Sequence, residues 1–211
     1  MNYLVTGTDT GVGKTLVTIG LINAARLAGI DCIGMKPIAA GDNNEDTRAI
    51  MAAQQGCEPE HLVNPFWYRT PVAPYTAAMI ENRPVDLTAI RKAYEEIASR
   101  HRTVLVEGAG GFLVPILASY DFRDLAKELG LSVIVVAANR LGVINHTRLT
   151  VELIRNAGLE CFAVILNHPP GPEELSQLTN QSVLEHLLKI PVLRVEKDQS
   201  DFSELVKQLA L

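Results

Sequence analysis

The sequence holds only three cysteines, Cys32, Cys57 and Cys161, an odd number at wide spacing. That excludes a paired disulfide framework and the CxxC spacing of a zinc site, and leaves reduced thiols with structural roles. No run approaches the roughly 18 uninterrupted apolar residues of a membrane span, and the opening Met1-Asn2-Tyr3-Leu4-Val5-Thr6-Gly7 lacks a charged segment followed by an apolar one. A soluble, cytoplasmic protein is therefore expected, with no membrane partner. The net charge is −5 and no basic tract occurs, so no nucleic-acid partner is expected. Repeats, low-complexity segments and linkers are also absent, and 211 residues lie within reach of one core. A single domain over residues 1–211 is the expectation.

What is present is a globular composition, 47% hydrophobic and 20% charged. Six short apolar runs bounded by turn residues read as strands buried on both faces: 3–6, 32–35, 104–106, 133–137, 162–166 and 192–195. Helical patterns lie between and beside them at 15–28, 46–55, 87–101, 121–129, 145–157 and 175–188. Gly29, Gly130 and Gly158 follow helical runs where a left-handed residue is wanted, and Asp86 stands where an N-cap belongs. Residues 64–74 contain Pro65, Pro71 and Pro74 and read as a loop.

The first strand runs into Gly7-Thr8-Asp9-Thr10-Gly11-Val12-Gly13-Lys14-Thr15, and an apolar helix follows at once with Leu16, Ile19 and Leu21. Strand, glycine-rich turn, Gly-Lys-Thr and helix together make a phosphate loop. Its backbone N–H groups and the helix N-terminus offer positive potential, Lys14 reaches the β and γ phosphates, and the Thr15 hydroxyl can ligate Mg²⁺. The loop is a variant, with five residues between Gly7 and Gly13 where the general pattern has four. The fold class follows: α/β, a P-loop fold with a mostly parallel central sheet of about seven strands and helices on both faces. A dinucleotide fold is excluded, because no G-x-G-x-x-G is present and the second strand ends in Lys36 instead of an acid.

Ligands of open α/β sheets collect at the carboxyl ends of strands. There stand Lys36-Pro37 with Ala40 and Gly41, the acidic turn leading to Asp46, and Glu107-Gly108-Ala109-Gly110-Gly111. Thr15, Asp46 and Glu107 supply the hard oxygens that a Mg²⁺ beside a triphosphate requires. Lys36 reads as a second cation beside the phosphates.

These elements, with Val114-Pro115 and Leu141-Gly142-Val143-Ile144-Asn145-His146-Thr147, resemble the dethiobiotin synthetases in order along nearly the whole chain. The resemblance implies an ATP-dependent ligase acting on ATP, 7,8-diaminononanoate and CO₂, with Mg²⁺ as cofactor, through a carbamate and a carbamic-phosphoric anhydride that closes to a cyclic urea. It implies catalytic roles for Lys14 and Lys36, and a nucleotide site from Gly11, Val12, Gly13, Lys14, Thr15, Leu16, Asp46, Glu107, Gly108, Ala109 and Gly110. It further implies an adenine reader at Asn167 with a loop at Pro191, Val192 and Leu193, and places His168 among the ATP-binding residues. The substrate site is implied at Thr10, Lys36 and Ala40, with Gly142, Val143 and Asn145 contributed across the interface of a homodimer. Ala40 and Ala73-Pro74-Tyr75 stand where a hydroxyl residue and Ser-Pro-His are common, which puts the details of diamine recognition in question. Gly11 stands where some members carry an acid.

A nucleotide-switch ATPase of the partitioning type is the alternative, but the lysine its loop carries near Thr8 is missing. A GTPase is disfavoured because Ala138-Asn139-Arg140-Leu141-Gly142 lacks the acid of a guanine reader.

Overall fold

The computed structural model describes residues 1–169, 171 and 174–210. Each of the six apolar runs is a strand of one parallel sheet. In chain order these are β1 (Tyr3–Gly7), β2 (Cys32–Met35), β5 (Thr103–Gly111), β8 (Ser132–Ala138), β9 (Cys161–Asn167) and β10 (Val192–Val195), arranged β10-β9-β8-β1-β5-β2. The expected count of about seven becomes six. The remaining short strands pair away from the sheet, β3 (Ile38–Ala40) with β4 (Phe66–Tyr68) and β6 (Pro115–Leu117) with β7 (Tyr120–Asp121).

The strands are apolar throughout because both faces are covered. One face packs against α1 (Lys14–Leu27) and α9 (Ser203–Leu209), burying Val17, Leu21 and Phe202 with Val5 and Ile134. The other packs against α5 (Leu87–Arg100), α6 (Phe122–Glu128), α7 (Val143–Asn156) and α8 (Leu175–Leu188), burying Ile90, Phe122, Val151 and Leu184 with Leu4 and Val135. Asp86 caps α5 by accepting from the amides of Thr88 and Ala89, and Gly29, Gly130 and Gly158 take φ values of 75°, 64° and 74° after their helices.

The proline-rich stretch 64–74 is more structured than its prolines suggest. Phe66–Tyr68 forms β4, because the prolines flank those residues without interrupting them, and Pro74 opens α4 (Pro74–Ile80) at its first turn. The short helices α2 (Glu45–Ala53) and α3 (Glu60–Val63) complete the β2 side. No helix among the described residues is long and apolar enough to cross a membrane.

Burial pushes the thiols of Cys32 and Cys161 up to about 12, whereas Cys57 is exposed. Alkylation needs thiolate and access. A native sample at pH 8 is accordingly expected to titrate about one thiol per chain with a disulfide reagent, and all three only in denaturant. Fast reaction of two or more native thiols would contradict this packing.

Candidate functional site

Parallel strands place all their carboxyl ends at one edge, and the chemistry collects there. β1 ends at Gly7, where a side chain would meet the Asp9 carbonyl at 2.6 Å and Val12 Cγ2 at 2.9 Å, so only glycine lets the loop turn back on itself. Gly13 takes φ 97° immediately before α1, and a Cβ there would run into the Asn167 side-chain amide. The first turn of α1 therefore presents its N–H groups and Lys14 to an open cavity of about 620 Å³. Thr10, Gly11, Lys14, Thr15, Lys36, Ala40, Asp46, Ala109 and Gly110 line it, and Pro71 to Pro74 with Val114 form its apolar wall.

At the cavity's base four predicted residues converge from β1–α1, β2, α2 and β5. Thr15 Oγ1 lies 2.8 Å from Asp46 Oδ1 and 2.8 Å from Glu107 Oε1. A hydroxyl has one proton, so it can donate to only one of the two carboxylates. Lys36 Nζ lies 2.6 Å from Glu107 Oε1, 2.9 Å from Asp46 Oδ2 and 3.2 Å from the Gly108 carbonyl, which uses all three of its protons. Glu107 is fully buried, and its Oε2 has no hydrogen-bond partner among the described residues. Asp46 does not serve as the cap of α2, since Asn44 holds that position.

The electrostatics match this geometry. Burial alone would lower the Lys36 ammonium, but Glu107 and Asp46 outweigh it and raise it above the ordinary lysine value. Burial works against the Asp46 carboxylate, yet the charge and hydrogen bond of Lys36 hold it below its usual range. Among the described residues Lys14 has no such pair. Burial, then repulsion from Lys36, brings it down to about 8, and its one hydrogen bond is to the Asp9 carbonyl at 3.3 Å.

The Thr15 hydroxyl with two carboxylate oxygens crowded against it, one further carboxylate oxygen orphaned in the interior, and an adjacent phosphate loop suit Mg²⁺. No cluster of three or more His, Cys, Asp or Glu side chains that could hold a metal occurs among the described residues. Such an ion needs phosphate and water oxygens to complete its shell, which is how Mg²⁺ binds with nucleotides.

The other predicted residues divide. Asn167 ends β9 beside the loop, its Nδ2 donating to the Val12 carbonyl at 3.0 Å. His168 follows, its amide bonded to the Val195 carbonyl at 2.9 Å. Pro191 precedes β10, and Val192 and Leu193 open it. In the β9–β10 register Val192 faces Val164 and Leu193 faces Ile165, whereas Val195 faces Asn167. β10 ends at Val195, and Glu196 follows it. Gly142, Val143 and Asn145 do not line the cavity of their own chain. Gly142, at φ 93°, leaves the first amides of α7 without a side-chain cap. Asn139, Gln177 and Asn180, buried between β8, β9 and α8, carry no local motif and were not foreseen.

The family described as AAA domain matches residues 1–199. An ATP-dependent dethiobiotin synthetase of an Anaeromyxobacter species is 43% identical over 88% of this chain and 89% of its own. The chain belongs to the dethiobiotin synthetase family. Further members include those of Akkermansia muciniphila, 39% identical over 91% of this chain and 90% of its own, and Bacillus velezensis, 38% identical over 92% and 85%. Among solved structures, the cell-division protein MinD of Aquifex aeolicus superposes with a TM-score of 0.54 at 14% identity, over 99% of this chain and 84% of that one. A plasmid partition protein of Borrelia burgdorferi bound to AMPPNP gives 0.55 at 10% identity, over 99% and 97%. Those two likenesses concern the fold; the dethiobiotin synthetases share the sequence as well.

Proposed function

We propose that this chain is a cytoplasmic dethiobiotin synthetase, one domain over residues 1–211, that uses ATP to carboxylate 7,8-diaminononanoate with CO₂ and close the cyclic urea, releasing ADP and phosphate. The observation that carries the reading is the meeting of Thr15, Lys36, Asp46 and Glu107 beneath a phosphate loop, in a cavity with an apolar far wall. The wall suits a chain of methylenes and the floor suits a transferring phosphoryl group.

Thr15, Asp46 and Glu107 would hold Mg²⁺, which would supply neutralisation of phosphate charge. The chain's own residues do the rest by positioning and electrostatics. The glycine-rich backbone and Lys14 hold the phosphates, so that a carbamate oxygen on the substrate attacks in line. Lys36, held by Asp46 and Glu107, is placed to neutralise carbamate and phosphate oxygens. No protein nucleophile is required; the second amine of the substrate closes the ring and phosphate leaves.

A homodimer accounts for Gly142, Val143 and Asn145 lying outside their own cavity. The uncapped α7 N-terminus suits a carboxylate, and Leu141 and Leu149, 81% and 57% exposed, give that end an apolar surface to cover.

The test is phosphate release from Mg-ATP and bicarbonate with and without the diamine. Release that requires the diamine and yields dethiobiotin in equal amount is expected. Release that ignores the diamine would instead favour a switch ATPase.

A further inference from the structure

Asn139 follows β8 and is completely buried. Its amide N–H donates to the Asn167 carbonyl at 2.8 Å. Its side-chain Oδ1 accepts from Asn180 Nδ2 at 2.8 Å, and its Nδ2 lies 3.1 Å from the Gln177 carbonyl and 2.8 Å from His168 Nε2. The Gln177 carbonyl can only accept, so the atom facing it must be the amide nitrogen, which fixes the orientation of the Asn139 side chain. That nitrogen's second proton points at His168 Nε2, which must then offer a lone pair. His168 is thereby set as the neutral tautomer protonated on Nδ1. Glu196 Oε2, 4.0 Å from the same Nε2, would prefer a proton there, but the closer amide decides.

One side chain thus ties three separate elements: the end of β8, the segment just after β9, and the first turns of α8. Two of its partners, Asn167 and His168, are residues that the ATP reading assigns to the nucleotide site, Asn167 to the purine itself. Asn167 also touches the phosphate loop at Val12.

We propose that Asn139 is a positioning residue for the purine end of the nucleotide site, holding Asn167 by its backbone and His168 in one tautomer so that the base meets a preformed set of donors and acceptors. The inference rests on the ATP-dependent reading above and deepens it. Phosphate transfer itself occurs at the other end of the nucleotide, so Asn139 acts on nucleotide capture and purine choice and leaves the chemical step alone.

The test is Asn139→Ala, with Asn180→Ala as a milder variant that keeps Asn139 and removes one of its bonds. Loss of a buried hydrogen-bonding anchor is expected to raise KM for ATP about tenfold, with kcat and KM for the diamine within about twofold. The preference for ATP over GTP is expected to shrink, and Asn180→Ala to move both in the same direction by less. Nitrogen-15 NMR of the wild type is expected to show His168 protonated on Nδ1, and the variant to lose that single-tautomer signature. An unchanged KM for ATP, a fall confined to kcat, or an Nε2-protonated His168 in the wild type would each overturn the proposal. If Asn139→Ala does not fold, Asn180→Ala and the wild-type tautomer decide it. Binding of a ribose-labelled fluorescent ATP is measured alongside: wild type that binds it yet hydrolyses ATP without the diamine defeats the ligase reading, and leaves Asn139 to be judged on binding alone.

Discussion

Replacing Lys36 with methionine is expected to lower diamine-dependent phosphate release by about a hundred- to a thousandfold and, separately, to loosen the ligand-free protein. Both effects follow from where the ammonium sits. The Lys36 side chain is 3% exposed and that of Glu107 fully buried, with 2.6 Å between them. A buried pair adds little net stability as a pair, but removing one member leaves a desolvated charge behind, at a cost of about 3 kcal/mol. Asp46 is nearly half exposed and contributes less to that cost. The double variant Lys36→Met with Glu107→Gln removes the stranded carboxylate and should recover most of the stability in urea unfolding while remaining inactive. Lys36→Arg keeps the charge but not the shape; a planar fork does not fit where three acceptors surround one compact nitrogen, and it should be nearly as inactive as methionine. Turnover within threefold of wild type for Lys36→Met, or a double variant no more stable than the single, would refute this account.

Most of the frame was legible because its signals are local. The six strand runs are apolar on both faces, and that alone distinguishes them from surface strands. The glycines that end helices and the Asp86 cap act within a few residues of themselves. Thr15, Lys36, Asp46 and Glu107 were legible as strand-end or helix-start residues, although their mutual contacts span 31 to 92 positions from Thr15. What the sequence concealed depends on register and on long-range pairing. β4 was hidden because prolines bracket Phe66-Trp67-Tyr68, although three aromatics in a row favour a strand. The Asn139 cluster joins residues 29 to 41 apart, and asparagines and glutamines at such spacing have no pattern that distinguishes them from surface polars.

Lys14→Met is expected to be inactive and yet more stable than wild type when no nucleotide is present. Lys14 is only 7% exposed, and its single hydrogen bond to the Asp9 carbonyl is long at 3.3 Å. Its ammonium is therefore desolvated without being fully satisfied. Burial and the neighbouring Lys36 charge bring it down to about 8, against the attraction of Glu107, Asp46 and Asp9. A lysine whose folded value lies below its unfolded one binds fewer protons in the fold, so stability rises with pH between the two. At pH 7 the wild type carries the whole cost, roughly 3 kcal/mol, and methionine of similar length removes it. The advantage of the variant should shrink as pH climbs from about 8 toward 10, when the wild-type amine becomes neutral in the fold. Mg-ATP reverses the order, because a triphosphate supplies the partner that the interior withholds, and ligand binding to the native state stabilises the wild type alone. Thermal unfolding of both proteins at pH 7 and pH 9, with and without Mg-ATP, reads all of these signs together. A variant less stable than wild type without nucleotide at pH 7 would mean that Lys14 serves the fold, and that the phosphate loop is not holding a strained cation ready for its ligand.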